Sequence, residues 1–127
     1  MSGYVIDSWA WMEYIQGSEQ GKKVKEFIED GHPVFSATIT IAEVSSKLRR
    51  KGSDSTIGRD AILANSRPVA MDADLAYEAG QIHAEMRKNN ANFGMADAVI
   101  LSTARRLKAR VLTGDPDFKG VKEAIFI

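Results

Sequence analysis

Apolar positions along the chain follow two rhythms. Short, nearly continuous apolar runs at Tyr4–Ile6, Val34–Ala37, Pro68–Ala70, Arg110–Thr113 and Ala124–Ile127 predict short strands of the kind buried on both faces in a parallel sheet. Between them lie longer stretches with helical spacing. Helices are predicted over Ser8–Gln16, over Glu19–Glu29 with Gly31 closing it, and over Ile41–Arg50 before Gly52. Further helices are predicted over Ser55–Asn65, Ala73–Lys88 and Met95–Lys108. Ile41, Val44 and Leu48 mark one face of the third; Leu75, Ala79, Ile82 and Met86 mark one stripe of the fifth. Ala98, Leu101, Ala104 and Leu107 or Lys108 do the same in the sixth.

Strands separated by helices predict an α/β fold, a doubly wound parallel sheet of five strands flanked by helices. In such sheets the first strand lies near the middle, and ligands sit beyond the carboxyl ends of the strands where the winding reverses. Polar residues that follow strands are therefore the ones to inspect. Asp7 ends the first strand, and Asp115 and Asp117 follow the fourth in Thr113-Gly114-Asp115-Pro116-Asp117-Phe118. Asp97 opens the helix leading into the fourth strand, and Glu43 lies near the start of the helix after the second. If the strand order is 3-2-1-4-5, Asp7 and Asp115 face each other, Glu43 arrives from the side of the second strand, and Asp97 joins from its helix.

Each acid also has a purely structural reading. Asp7 could cap the first helix. Thr40-Ile41-Ala42-Glu43 matches a capping box, in which Glu43 reaches back to the Thr40 N–H. Asp97 could favour a helix N-terminus through the dipole. Asp115 before Pro116 looks like a cap followed by proline in the first turn. Those readings do not require the four to meet at one end of one sheet, whereas the topology does. Two like charges about 4 Å apart repel by roughly 4 kcal/mol at an effective dielectric of about 20. Several such pairs would consume much of a stability of about 5–15 kcal/mol. Either some of the acids protonate or a divalent cation sits among them.

Composition narrows the choice of cation. The 127 residues suit a single domain spanning 1–127 and include no cysteine, so disulfides, zinc–thiolate sites and cysteine nucleophiles are excluded. His32 follows Gly31 in a turn and His83 sits mid-helix; both read as structural. An all-oxygen carboxylate set suits Mg²⁺ or Mn²⁺. There is no Gly-rich phosphate loop followed by Lys, which argues against NTP hydrolysis, and no G-x-S-x-G elbow. The start Met1-Ser2-Gly3-Tyr4 shows no basic region before a long apolar run, so no signal peptide is expected, and no stretch approaches a membrane span. A cytoplasmic location is the expectation.

Lys plus Arg and Asp plus Glu number 17 each, so net charge gives no argument for nucleic acid. Two local basic clusters exist, Lys47, Arg49, Arg50, Lys51 and Arg105, Arg106, Lys108, Arg110; solvated helix ends are the simple explanation for both. In the first helix, Trp9 and Trp11 cannot point the same way. They fit either an interface or an unusually well-buried helix.

Taken together, Tyr4-Val5-Ile6-Asp7-Ser8, the placement of Glu43, Ala96-Asp97-Ala98-Val99-Ile100-Leu101 and Thr113-Gly114-Asp115-Pro116-Asp117-Phe118 resemble the PIN domain. More closely, they are similar to the VapC toxins of toxin–antitoxin pairs, over nearly the whole chain. The resemblance implies a 3-2-1-4-5 parallel sheet and a metal site of three or four acids, by position Asp7, Glu43, Asp97 and Asp115. Ser8, Thr113 and Asp117 match supporting positions, with Asp117 expected to brace its loop by accepting backbone hydrogen bonds. The resemblance also implies RNA cleavage dependent on Mg²⁺ or Mn²⁺, a homodimer, and a VapB-like antitoxin that blocks the site. Two alternatives compete. One is a PIN-like module that binds RNA or protein without cutting. The other is a receiver-like domain, against which Asp7 is followed by Ser8 and Trp9 rather than by a second acid.

Overall fold

A computed structural model of the chain describes residues 2–127; Met1, the first residue of the N-terminal run read above, lies outside the described residues. The elements in chain order are β1 (Tyr4–Ile6), α1 (Ser8–Gln16), α2 (Glu19–Ile28), β2 (Val34–Ala37), α3 (Thr38–Arg50), α4 (Ser55–Asn65), β3 (Arg67–Val69), α5 (Ala73–Met86), α6 (Met95–Leu107), β4 (Arg110–Thr113) and β5 (Ala124–Phe126). A 3₁₀ turn at Pro116–Phe118 lies between β4 and β5. The strands form one five-stranded sheet in the order β3-β2-β1-β4-β5, every pairing parallel. This is the doubly wound α/β architecture, with β1 central.

Strand alternation divides the interior between the two faces of the sheet. Val5 and Val111 point to one face, where Leu75, Ala79, Phe93, Ala98 and Phe118 pack from the side of α5 and α6. Ile6 and Leu112 point to the other, against Ala10, Trp11, Val24, Val44, Leu48 and Ile62. Both faces are covered, which is why the strands read as apolar runs rather than as an alternation.

The structure departs from the sequence reading at element ends. β3 begins one residue earlier than expected, and Pro68 pairs in register with Ser36. β3 is an edge strand, a position where a residue without an N–H is tolerated. α3 begins at Thr38 rather than near Ile41. β2 runs straight into the helix through Ala37, whose extended backbone (φ −65°, ψ 140°) serves as the N-cap without a side-chain cap. Thr40 is therefore inside the helix, and the capping box expected over Thr40–Glu43 does not form.

The two tryptophans separate as their spacing demands. Trp11 is fully buried, and its indole Nε1 donates to Ser36 Oγ at 2.9 Å. Ser36 Oγ lies 2.8 Å from Ser66 Oγ, which donates to the Ile62 carbonyl at 2.6 Å. An indole N–H left unpaired there would cost about 1–3 kcal/mol; the serine pair removes that cost and ties α1, β2 and α4 together. Trp9 is half-buried and turns toward the carboxyl ends of the strands, where it covers Gly114.

Candidate metal centre

The carboxyl end of β1 and the N-terminus of α1 meet at Asp7. Its backbone is extended and its Oδ1 accepts the Ala10 N–H at 2.8 Å, so the capping role read from sequence is real. Its Oδ2 accepts from the Thr113 hydroxyl at the end of β4, the neighbouring strand. Thr113 Oγ1 in turn accepts the Asp115 N–H at 2.9 Å. One hydroxyl thus fixes Asp7 relative to the turn that presents Asp115. Burial raises the Asp7 carboxyl to about 7, against the lowering effect of the two hydrogen bonds and with further upward pressure from Asp115 and Asp97.

The turn after β4 is shaped by its own residues. Asp115 Oδ1 accepts the Asp117 N–H at 2.9 Å, and Pro116 supplies a fixed φ at the start of the 3₁₀ turn. The loop-bracing carboxylate is therefore Asp115; Asp117, expected to accept backbone N–H groups, donates its own instead. The Asp117 carbonyl accepts from Asn90 Nδ2 at 3.2 Å. Phe118 is fully buried and packs edge-on against Phe93, with ring centroids 5.7 Å apart. Asn90 and Phe93 belong to the segment leading into α6, so the turn and the start of α6 are fastened together. Gly114 permits a further close contact. A Cβ there would lie 2.3 Å from the Trp9 ring, so only glycine lets that ring rest on the turn. Gly114→Ala is expected to destabilise the fold by about 1–3 kcal/mol through overpacking. Thermal melts should show the loss, and a Trp9→Ala change in the same chain should recover part of it.

Asp97 reaches the same place from α6. It is the third residue of the helix, and its Oδ2 accepts the Gly94 N–H at 3.0 Å. Partial burial is the largest reason its carboxyl rises to about 6, and the charges of Asp115, Asp117 and Glu43 add to the rise. Asp97, Asp115 and Asp117 each offer a carboxylate oxygen within 4.8 Å of the others. Glu43 enters from α3. Its Oε1 is buried without a hydrogen-bond partner, as is the neighbouring Thr40 Oγ1. Ser8 opens α1, half-buried beside Asp7.

The five acids sit at the carboxyl ends of β1, β2 and β4, at the winding reversal. Among the described residues none of them forms an ion pair with Lys, Arg or His. His32 lies 3.1 Å from Asp30 in an exposed turn and His83 lies within α5, both apart from the cluster. The donor set fits a hard divalent cation: oxygen ligands only, surplus negative charge, and one buried carboxylate oxygen with nothing to bind. Shape alone would not have found it. A concavity of about 600 Å³ lined by Val34, Ser66 and Arg67 opens at the amino ends of β2 and β3, the opposite edge.

The PIN domain family model matches residues 4–124. No curated protein matches. Among solved structures, the VapC20 toxin of Mycobacterium tuberculosis, described as cleaving the sarcin–ricin loop, superposes with a TM-score of 0.78 at 17% identity, covering 98% of this chain and 97% of that one. VapBC2 from Rickettsia felis, bound to a DNA fragment from its promoter, gives 0.75 at 16% identity with 98% and 96% covered. A toxin–antitoxin complex from Klebsiella pneumoniae gives 0.74 at 19% identity with 97% and 96% covered.

Proposed function

Since the chain belongs to the PIN-domain family, whose members are generally nucleases, we propose that it is a metal-dependent endoribonuclease acting as the toxin of a VapBC-type pair. The observation behind this reading is the gathering of Asp97, Asp115 and Asp117 within 4.8 Å, without a cationic side chain to balance them. Mg²⁺ or Mn²⁺ would be held by these residues, and Asp7 and Glu43, each near enough to exchange charge effects with Asp97, would complete the set. When bound, such an ion supplies charge neutralisation for a phosphodiester and makes a coordinated water more acidic than bulk water.

The chain's own residues account for the rest of the arrangement. Thr113 holds Asp7 and the Asp115 backbone in one unit. Gly94 fixes the Asp97 carboxylate, and Asn90 fixes the Asp117 backbone. The acids therefore hold their places before any ligand arrives, which lowers the cost of organising the site on binding. The partners in this reading are RNA as substrate, a VapB-like antitoxin and a second copy of the chain, in the cytoplasm. The fold shared with solved VapBC complexes supports the antitoxin. No helix among the described residues is long and apolar enough to cross a membrane.

The test is incubation of a mixed RNA pool with the purified protein. Fragments are expected with Mg²⁺ or Mn²⁺ and none in EDTA. Cleavage that persists in EDTA would overturn the metal reading, and metal-independent RNA binding without cleavage would leave a non-catalytic module.

A further inference from the structure

We infer that the cleft between α1 and α3 is the track along which single-stranded RNA leaves the acidic centre, with Lys47, Arg50 and Lys51 holding phosphates and Trp9 stacking on a base. This rests on the ribonuclease reading and goes beyond it by assigning residues to substrate binding.

The two basic clusters of the sequence fare differently in the fold. The second is taken up internally: Arg105 pairs with Glu123 at 3.0 Å and Arg106 with Asp72 at 2.8 Å. Arg110 donates to the Glu123, Lys122 and Ala124 carbonyls, and Lys108 is the left-handed C-cap of α6. The first remains available. Lys47, Arg50 and Lys51 line a groove of about 380 Å³ together with Trp9, Met12, Glu13 and Gln16. Among the described residues none of the three cations is in a salt bridge. Glu13 is the acid in the groove, so the lining is net positive. The Gln16 amide, turned to donate to Glu13 at 3.3 Å, accepts from Lys51 Nζ at 3.0 Å and so steers that cation without neutralising it.

The groove reaches toward the site through Trp9, which lines it and rests on Gly114. Asp7 caps α1 and α3 follows β2, so both helices begin at the carboxyl end of the sheet. Trp9 lies on Gly114, next to Asp115. On α3, Glu43, Lys47 and Arg50 fall on one stripe, and Glu43 to Arg50 spans about 10 Å of helix axis. A cluster of acids repels a phosphate backbone. Cations within about one Debye length, roughly 10 Å at 0.1 M salt, are what offset that repulsion. Positive side chains alternating with an aromatic face are also the usual means of holding single strands without sequence readout.

The experiment titrates fluorescein-labelled single-stranded RNA of mixed sequence against the full chain in EDTA at several salt concentrations, then measures cleavage of the same RNA with Mn²⁺. In the triple variant Lys47→Gln, Arg50→Gln, Lys51→Gln, the slope of log K against log salt should fall by about 2. KM should rise while kcat and the melting temperature hold. Arg49→Gln, which removes one charge from the same helix outside the groove, should leave slope and KM as in the wild type, whereas Arg50→Gln alone should lower the slope by about 0.7. RNA should quench tryptophan fluorescence in the wild type, and Trp9→Phe should remove the quench while Trp11 still emits.

If the triple variant binds and cleaves like the wild type, or Arg49→Gln weakens binding as much, the track is wrong and the nuclease reading stands. If RNA binds through these residues but is never cut with Mn²⁺, the track stands and the nuclease reading fails. If poly-glutamate occupies the groove and RNA does not, the surface belongs to an acidic protein partner and the proposal is overturned.

Discussion

Replacing Asp97 by Asn is expected to lower metal-dependent RNA cleavage by about 10²–10³-fold, the usual effect of removing one group that stabilises charge in a preorganised site. Asp97 is the acid to change because its carboxyl senses Asp115, Asp117 and Glu43 together. Asparagine keeps an oxygen for the Gly94 N–H, so the start of α6 should survive. Activity alone would not separate lost metal from lost chemistry, and melting curves do. A ligand that binds only the folded chain at about 100 times its Kd adds about 2.7 kcal/mol, or on the order of 10 °C for a domain of this size. Mn²⁺ should therefore raise the wild-type melting temperature and scarcely move that of Asp97→Asn. Without metal the order should reverse, the variant melting no lower than the wild type, because one repelled carboxylate is gone. Equal Mn²⁺ shifts in both proteins would mean that the ion binds elsewhere.

The second large effect is a pH dependence of unusual sign in metal-free protein. Asp7 and Asp97 have carboxyls raised to about 7 and about 6 from 3.8. A raised acid binds its proton more tightly folded than unfolded. The penalty for ionising it is therefore absent below about pH 4 and fully present above about pH 7. Stability should increase as pH falls across that window. At 1.36 kcal/mol per unit, and discounting half-exposed Asp97 for solvent screening, the protein in EDTA should be about 3 kcal/mol more stable at pH 5 than at pH 8. Asp72 has the opposite sign: Arg106 beside it lowers its carboxyl to about 2, so its contribution is intact above about pH 4 and does not enter the comparison. Urea denaturation at the two pH values measures the difference. Asp7→Asn should remove most of it and Mn²⁺ should abolish or reverse it. Stability that is flat, or lower at pH 5, would mean that these carboxylates are not buried against one another as described.

The fold class was legible because its strands are short, apolar and separated by helices; the order β3-β2-β1-β4-β5 was implied by the resemblance to the PIN domain, since the alternation alone admits other doubly wound orders. The approach of Asp97 and Asp115 was legible once that order is taken, since one opens a helix and the other follows a strand at the same end of the sheet; Asp117 joins them within 4.8 Å. What escaped was set by contacts distant in sequence. The Thr40–Glu43 pattern pointed to a helix start, but β2 feeds α3 directly and places Thr40 inside it. Asp117 could not be told from Asp115 by type or spacing; which of them accepts and which donates depends on how Pro116 folds the turn. Asn90 gave no signal at all, because its partner is a backbone carbonyl far along the chain. Trp9 and Trp11 left two readings open, and Ser36 and Gly114, from other elements, decide between them.

The outer strands of the sheet have a bearing on how the chain behaves in crowded solution. β3 and β5 are three residues each, and β3 places Pro68 at its middle position. A strand so short, lacking one amide hydrogen, offers a neighbouring molecule almost no ladder to extend. The doubly wound sheet thus ends in borders that discourage fibrous self-association, although its central strands have the apolar, β-branched composition that would promote it.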